Sequence, residues 1–375
     1  MLDPIRLAQD LIRIDSRSFV SNLPVADRIQ RELGGFEVEV LDYTDAKGVP
    51  KRNLVAYRGP KSSSAPQPGG LLLAGHLDTV PDTGWTRSAF EPRIADGTLA
   101  GLGSADMKGP IAAMLAAGIA APATLPVTFL FTADEEAGKQ GVREVLKRSE
   151  LLRRHKPRAI VIGEPTGLRC LRGHRVDIQF TADAEGVQAH SSTGEGVNAN
   201  LALIPFLADM RELHFTLRRE PRYHDPLYTP PFCDLNFVVD NYGAASNMTV
   251  GKATCRIKFR YSKAFDPEWV VEAVQASARR NGLSLSVVRE ASPPELPLEH
   301  PLVRLGARLS GQPAAVAGLG TEASELKALA PTIVIGPGRI EDAHKPDERI
   351  DLAQLTASVD LYRRFLEEAV ELPPA

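Results

Sequence analysis

Apolar and polar positions follow two different periods along the chain, and these periods predict helices and strands in turn. Apolar residues three and four apart indicate helices, whereas short apolar runs indicate strands. The predicted helices span 4–14, 24–34, 109–120, 139–148, 301–310 and 351–370, and the predicted strands span 36–43, 53–57, 70–74, 127–132, 159–162 and 332–336. Several of these strands are apolar throughout, which is typical of strands buried on both faces. The pattern therefore favours an α/β fold with a mostly parallel sheet between layers of helices.

A different pattern occupies the middle of the chain. Residues 174–182 alternate between apolar and polar side chains, as in a half-exposed antiparallel strand. The elements predicted after it are a helix at 197–214, strands at 235–239 and 253–261, a helix at 267–280 and a strand at 283–289. This β-α-β-β-α-β order is that of the split βαβ, or ferredoxin-like, motif.

Proline and glycine clusters mark the connections between these regions. Four prolines between Ala291 and Pro301 predict a linker, after which the α/β pattern returns, and the Ser/Pro/Gly-rich stretch 61–70 predicts a surface loop. We therefore expect a catalytic domain formed by 1–172 and 292–375, with a smaller lid or dimerisation domain, 173–291, inserted into it.

Composition narrows the possible functions. A chain of 375 residues exceeds the usual range of a single core, which agrees with two domains. A net charge of −3 gives no electrostatic footprint for nucleic acid or an anionic membrane, so a small-molecule substrate is favoured. The three cysteines form no C-x-x-C pair, and the N-terminus lacks the features of a signal peptide. We expect a cytoplasmic protein that binds neither nucleic acid nor membrane.

Two groups of ionisable residues lie next to the predicted apolar strand 70–74 and the predicted helix 109–120. His76 and Asp78 are two residues apart in G-H-L-D, so in an extended backbone they point the same way, and Asp78 can hold the imidazole of His76. Asp106 precedes the helix at 109–120, a position that suits a helix N-cap as well as a metal ligand.

Three further groups follow other apolar strands. Glu135 and Glu136 are adjacent, and neighbouring carboxylates repel each other unless a cation or a proton lies between them. One of them can bind a metal while the other acts as a general base, although an acidic first helical turn has the same appearance. Glu164 ends another apolar strand in G-E-P-T, and His344 lies in a Gly/Pro-rich loop.

Together these groups supply nitrogen and oxygen ligands without a thiolate. The candidate metal ligands are His76, Asp106, Glu136, Glu164 and His344. One shared carboxylate, with one histidine and one further carboxylate for each ion, makes a co-catalytic pair of metals. Imidazole and carboxylate together favour zinc, and cobalt or manganese also suit such donors.

The order of these motifs resembles a known enzyme family. The chain contains G-H-L-D-T-V-P, G-L-G-S-A-D-M-K-G, D-E-E and G-E-P-T in succession. This series is similar to that of the co-catalytic zinc metallopeptidase family of acetylornithine deacetylases, succinyl-diaminopimelate desuccinylases, aminoacylases and bacterial glutamate carboxypeptidases. The resemblance covers essentially the whole chain. It implies a zinc-exopeptidase-like mixed sheet sandwiched by helices, with an inserted ferredoxin-like lid that forms a homodimer.

The resemblance also implies roles for individual residues. It makes His76, Asp106, Glu136, Glu164 and His344 the ligands of two zinc ions, with Asp106 bridging them. It further implies that Asp78 orients His76, that Glu135 is the general base, and that His190 in A-H-S-S hydrogen-bonds the developing oxyanion. A dinuclear zinc hydrolase that cuts a linear amide bond follows from these roles.

Within this family the chain is most similar to the acetylornithine deacetylases. The segments that carry this similarity surround Trp85, Ala189, Asn247 and Gly320. The similarity implies that the substrate is bound by Asn247, Arg260, Gly320, Thr321 and Glu322, and that the reaction removes acetyl from N-acetyl-L-ornithine in arginine biosynthesis. A desuccinylase, another acyl-amino-acid deacylase, or a dipeptidase or carboxypeptidase on the same metals remains an alternative. A non-catalytic binding module is disfavoured because each ligand position and the base are filled.

Overall fold

The structure, a computed structural model, describes residues 2–60 and 69–373. Its chain divides into two compact units. The larger unit contains the chain up to Gly173 together with Pro294–Ala315 and Thr321–Ala375, and the smaller unit contains His174–Pro293 and Val316–Gly320. The sequence assigned 316–320 to the larger domain and did not indicate that this stretch groups with the smaller one.

Ten helices and fifteen strands are described here in chain order. As far as the end of β8 they are α1 (Pro4–Ile12), α2 (Leu23–Gln30), β1 (Glu37–Thr44), β2 (Pro50–Arg58), β3 (Gly69–His76), β4 (Arg93–Ala95), β5 (Thr98–Ala100), α3 (Lys108–Ala120), β6 (Val127–Thr132), α4 (Gln140–Arg148), α5 (Glu150–Arg154), β7 (Pro157–Ile162) and β8 (Leu171–His174). The elements of the smaller unit are β9 (Val176–Glu185), α6 (Asn200–Arg219), β10 (Asp234–Asp240), β11 (Lys252–Tyr261), α7 (Glu268–Arg280) and β12 (Ser284–Arg289). The remaining elements are α8 (Pro301–Ser310), β13 (Ala315–Ala317), α9 (Ala323–Leu326), β14 (Thr332–Val334), β15 (Arg349–Asp351) and α10 (Leu352–Glu368).

A mixed sheet of eight strands runs through the larger unit in the order β1-β2-β6-β3-β7-β14-β8-β13. Its centre is parallel: β3 pairs in parallel with β6 and β7, and β14 pairs in parallel with β7. The β1–β2 and β2–β6 pairs are antiparallel. The parallel strands β3, β6, β7 and β14 therefore all end at one edge of the sheet, where open sheets of this kind bind ligands.

Burial explains the apolar texture of this unit. The side chains of β6 are all buried, and so are those of α3 from Lys108 to Gly118. The helix α3 contacts both α1 and α10, so it forms the middle of a helical layer. Such a helix is apolar on every face because no face meets water. The α1 helix starts where Asp3 accepts hydrogen bonds from the first-turn N–H groups of Ile5 and Arg6.

The smaller unit has a four-stranded antiparallel sheet in the order β10-β11-β9-β12. This arrangement of β9, α6, β10, β11, α7 and β12 matches the β-α-β-β-α-β order predicted from the sequence. Phe180 of β9, Phe206 of α6 and Phe259 of β11 lie in a separate apolar core of this unit.

The predicted long elements are present, most of them with shifted ends, and several short ones were missed. The strands β4, β5, β8, β13 and β15 and the helices α5 and α9 were not predicted, because three to five residues carry little periodic signal. The loop predicted at 61–70 lies outside the described residues up to 68, and its last two residues already belong to β3. Within residues 2–60 and 69–373, no helix is long and apolar enough to cross a membrane.

Candidate metal centre

The site forms at the carboxyl edge of the parallel strands in the larger unit. His76 is the last residue of β3 and lies opposite Thr132, the last residue of β6. The N–H of Leu77 donates to the Thr132 carbonyl at 2.7 Å, which keeps the two segments together beyond the strands. This register brings the segment after His76 beside the D-E-E segment after β6.

Two histidines contact different carboxylate oxygens of the same aspartate, Asp106. The Nε2 atom of His76 lies 2.9 Å from Oδ1 of Asp106 and 3.8 Å from Oε1 of Glu164. The Nε2 atom of His344 lies 3.2 Å from Oδ2 of Asp106 and 2.8 Å from Oε1 of Glu136. The structure therefore brings together all five of the candidate ligands named from the sequence, in two triads that share Asp106.

A third group joins the triads at Glu135. Ligand atoms of His76, Glu135 and Glu136 lie within 4.8 Å of one another, as they do within each of the two triads. The Oε1 atom of Glu135 lies 4.0 Å from Nζ of Lys139, one turn further along the chain. Glu135 is therefore close to the donor cluster without belonging to either triad that contains Asp106.

Burial makes the negative charge of this cluster costly. The pKa of Glu135 is raised to about 8, first by burial, with Glu136 adding repulsion. The pKa of Glu164 is raised well above its ordinary value by burial and then by the charge of Asp106. Burial also opposes the ionisation of Asp106, but hydrogen bonds with His344 and His76 outweigh it and lower the pKa of Asp106.

The neighbouring carboxylates raise the pKa of both imidazoles. Hydrogen bonds to Asp106 and Glu136 raise the pKa of His344 to about 11. Burial lowers the pKa of His76, but Asp106 and Glu164 together raise it well above its ordinary value. The negative charge of these carboxylates therefore favours a positive charge at the point where both imidazoles meet Asp106. Metal cations fit this demand, and every donor in the triads is an imidazole nitrogen or a carboxylate oxygen.

Asp78 supports the site through different atoms from those expected. The Nδ1 atom of His76 lies 2.9 Å from the Asp78 carbonyl oxygen and 3.7 Å from its carboxylate. The carboxylate instead accepts hydrogen bonds from the N–H groups of Glu135 at 3.1 Å and Glu136 at 3.2 Å, and from the hydroxyl of Ser18 at 2.8 Å. Asp78 therefore holds both His76 and the backbone of the adjacent glutamates.

A buried ion pair behind the glutamates was not predicted from the sequence. Lys51 of β2 has no exposed side-chain surface, and its Nζ atom lies 2.8 Å from Oδ1 of Asp134. Nζ also donates to the carbonyl oxygens of Ser18 at 2.6 Å and Val20 at 3.0 Å, while the hydroxyl of Tyr43 donates to Asp134 at 2.6 Å. A lysine at the start of an apolar strand was the only sequence signal.

Four candidate residues, His190, Asn247, Arg260 and Gly320, lie in the smaller unit. His190 is exposed, and its Nδ1 atom lies 2.7 Å from Oγ of Ser192. The N–H of Ser191 donates to the carbonyl of Asn247 at 2.9 Å, so the segments that carry His190 and Asn247 are neighbours. Arg260 of β11 is partly exposed, and its Nε atom lies 3.3 Å from a carboxylate oxygen of Asp177.

The remaining candidates, Thr321 and Glu322, directly follow Gly320. Gly320 is exposed, whereas Thr321 is buried and accepts a hydrogen bond from the N–H of Ala323. Glu322 is only 1% exposed and accepts a hydrogen bond from the hydroxyl of Thr132 at 2.8 Å. Burial raises the pKa of Glu322 to about 7. The substrate-binding role that the sequence predicts for Glu322 stays a prediction, and the structure places its carboxylate in a buried position beside Thr132.

The chain is similar to known proteins over most of its length. Residues 72–368 match peptidase family M20/M25/M40. The chain is 35% identical over 347 residues to an acetylornithine deacetylase of Yersinia pseudotuberculosis, covering 89% of this chain and 87% of that protein. An acetylornithine deacetylase of Proteus mirabilis is 34% identical over 349 residues, which cover 89% of this chain and 86% of the relative.

Solved structures show the same fold at low identity. The di-peptidase Dug1p from Saccharomyces cerevisiae superposes with a TM-score of 0.76 at 15% identity, covering 99% of this chain and 96% of that one. The Bacillus subtilis YXEP protein, described as a dinuclear metal binding peptidase from the M20 family, superposes with a TM-score of 0.62 at 14% identity, covering 99% and 98%.

Proposed function

We propose that this chain, which belongs to peptidase family M20/M25/M40 and is a hydrolase of amide bonds, removes the acetyl group from N-acetyl-L-ornithine. Two triads of donors that share Asp106, with Glu135 beside them, carry the proposal of amide hydrolysis at a metal pair. Identities of 34–35% over 89% of the chain to proteins named acetylornithine deacetylase support the choice of substrate.

In this proposal each triad holds one metal ion. His76 and Glu164 would hold one ion, Glu136 and His344 would hold the other, and Asp106 would contribute to both. Zinc is the proposed metal because it prefers imidazole with carboxylate oxygen in hydrolytic sites. When bound, such a pair lowers the pKa of a shared water toward neutrality and polarises the amide carbonyl.

The general base is Glu135. Its carboxylate lies beside both triads, and its backbone N–H donates a hydrogen bond to the carboxylate of Asp78, which anchors its backbone. It accepts the proton of the attacking water and delivers it to the leaving amine. Burial favours the protonated form of Glu135, which prepares the residue to carry that proton between the two steps.

The smaller unit supplies four of the five proposed substrate contacts. We assign hydrogen bonding of the developing oxyanion to His190 with help from Asn247, since an exposed imidazole is free to donate to a negatively charged oxygen. Arg260 and the backbone of Gly320 and Thr321 are assigned to the substrate α-carboxylate, because a guanidinium suits a carboxylate in a bidentate manner.

The same unit is proposed to join two copies of the chain. Leu201 and Ile204 of α6 are 70% and 59% exposed, and Val238 of the sheet-edge strand β10 is 50% exposed. A helix and an edge strand that both present large apolar side chains suit a symmetric interface between identical surfaces. A cytoplasmic location is proposed on the three buried free cysteines, which suit a reducing compartment.

The test is hydrolysis of N-acetyl-L-ornithine by the metal-free protein before and after zinc or cobalt is added. We expect turnover only with metal. The substrate panel includes N-succinyl-diaminopimelate, other acyl-amino acids and dipeptides. Metal-dependent turnover of one of these, with none of acetylornithine, would reject the proposed substrate and keep the amide hydrolysis. Absence of metal-dependent turnover throughout the panel would reject the proposed role of the metal pair.

A further inference from the structure

We propose that Glu348 is a positioning residue that fixes Asp106 relative to His344 and thereby keeps the two metal sites at their working separation. The inference rests on the proposed metal pair but not on the proposed substrate. Glu348 lies four residues after His344, just before β15, whereas Asp106 lies in the loop between β5 and α3. The two segments are far apart in sequence and meet through the Glu348 side chain.

The carboxylate of Glu348 accepts three backbone hydrogen bonds from the Asp106 loop. Its Oε2 atom accepts from the N–H of Gly103 at 2.9 Å, and its Oε1 atom accepts from the N–H groups of Ala105 at 2.9 Å and Asp106 at 3.0 Å. Glu348 is 1% exposed, and residues 101–110 are all buried. Water cannot replace the carboxylate there, so these N–H groups depend on it for a partner.

The backbone of the same segment strengthens the connection. The N–H of Gly101 donates to the Glu348 carbonyl at 3.0 Å, and the N–H of Glu348 donates to the Lys345 carbonyl at 3.1 Å. Beyond Glu348, β15 pairs with β5 in antiparallel register. One continuous stretch thus contains the proposed ligand His344 and also Glu348, which holds the loop of a second proposed ligand, Asp106.

The position of Asp106 matters to both metals. Because its two carboxylate oxygens face His76 and His344 separately, a shift of its backbone alters both triads at once. The three hydrogen bonds from the Asp106 loop to Glu348 therefore affect the binding of both proposed ions rather than of one. Partners of this kind, which orient ligands from behind, typically change metal affinity about 10–100-fold when they are removed.

An acceptor-only side chain is needed at this position. In Glu348→Gln the amide keeps the length of the side chain but turns one acceptor into a donor, which then faces a backbone N–H group. The matched control is Glu39→Gln. The Glu39 carboxylate accepts backbone hydrogen bonds from Glu150 at 2.8 Å and Leu151 at 3.3 Å at the start of α5, in the same unit but outside the metal triads.

The experiment titrates cobalt into the metal-free protein, with calorimetry for affinity and stoichiometry and the visible spectrum for the geometry of the bound ions. We expect Glu348→Gln to weaken cobalt binding by about 10–100-fold and to change the spectrum. Glu39→Gln is expected to leave both unchanged. Two equivalents bound by Glu348→Gln with unchanged affinity and spectrum would overturn the proposal, even if the variant melted at a lower temperature.

A second variant covers failure of Glu348→Gln to fold. Glu348→Asp keeps an acceptor-only carboxylate but is shorter by one methylene, so it reaches the three N–H groups less well. We expect partial rescue, with cobalt affinity between those of the unchanged protein and Glu348→Gln, or simply below that of the unchanged protein if Glu348→Gln is not obtained. Unchanged cobalt affinity in Glu348→Asp would then reject the positioning role of Glu348. These readouts do not involve acetylornithine, so a wrong substrate assignment leaves them interpretable.

Discussion

Replacing Lys51 by methionine removes the positive charge beside Asp134, the residue that precedes Glu135 and Glu136. Lys51 has no exposed side-chain surface, and the side chain of its partner Asp134 is 4% exposed. The variant keeps a long apolar stem in place, so little cavity is created. It leaves the Asp134 carboxylate without its cation and two carbonyl oxygens, those of Ser18 and Val20, without a donor.

The expected loss of stability follows from these contacts. Breaking a buried ion pair by removing one partner costs about 3–5 kcal/mol, because an uncompensated charge stays in the interior. For a unit of about 250 residues, each kcal/mol lowers the melting temperature by about 2–4 °C, so a fall of about 6–20 °C is expected. Lys47→Met is the control: Lys47 is exposed on the β1–β2 turn, and its replacement is expected to change stability by less than about 0.5 kcal/mol.

A double-mutant cycle with Asp134→Asn distinguishes the ion pair from general loss of packing. The asparagine removes the unpaired charge, so the double variant is expected to be more stable than the sum of the single effects by at least about 1 kcal/mol. Urea unfolding, followed by circular dichroism and by fluorescence, gives the four free energies. Additive effects, or a loss below about 1 kcal/mol in Lys51→Met, would refute the reasoning that this pair is a strong buried interaction.

Other variants and conditions test the remaining assignments. Glu135→Gln is expected to lower kcat by at least about 10²-fold while elemental analysis finds the same metal content, whereas Glu150→Gln leaves kcat unchanged; retained activity in Glu135→Gln would exclude it as the base. In the metal-free protein, the raised pKa of Glu135 means that stability present at low pH is lost as pH rises toward about 8. Glu135→Gln is therefore expected to become more stable than the unchanged protein over that window in urea titrations, and a constant difference would contradict this. A chelator is expected to lower the melting temperature, and restored metal to raise it again, since metal binds the folded form; an unchanged melting temperature would argue against a folded-state metal site. Ile204→Asp on α6 is expected to give monomers in sedimentation velocity, and Leu227→Asp, an equally exposed leucine elsewhere, is not; dimers in both would exclude the α6 surface.

Much of the architecture could be predicted because apolar periodicity is a local property. The strand at 127–132 and the helix at 301–310 match the structure at both ends, and the order of β9, α6, β10, β11, α7 and β12 follows the predicted order. Burial on both faces gives long apolar runs, and burial on one face gives alternation, so the sequence carries both patterns directly. Short elements such as β15 and α9 were missed because their stability comes from partners far along the chain.

The candidate ligands could also be named from the sequence, because carboxylates and imidazoles at strand ends are conspicuous and parallel strands end at a common edge. His76 ends β3 and Glu136 follows β6, the neighbouring parallel strand, which explains why the two come close. His344 could be placed only by motif, since the backbone there adopts a positive φ of 57° in a loop without periodic signal.

The supporting contacts were decided by tertiary structure alone. Lys51 and Asp134 are 83 positions apart by their numbers, and Glu348 lies 242 residues from Asp106. Folding also decides that the carbonyl oxygen of Asp78 contacts His76, and that the carboxylate of Glu322 is buried. A sequence displays the identity and local period of its residues, whereas desolvation and hydrogen-bond geometry arise only when distant segments exclude water from one another. For that reason the candidate ligands could be predicted from the sequence, whereas the contacts that hold them in place could not.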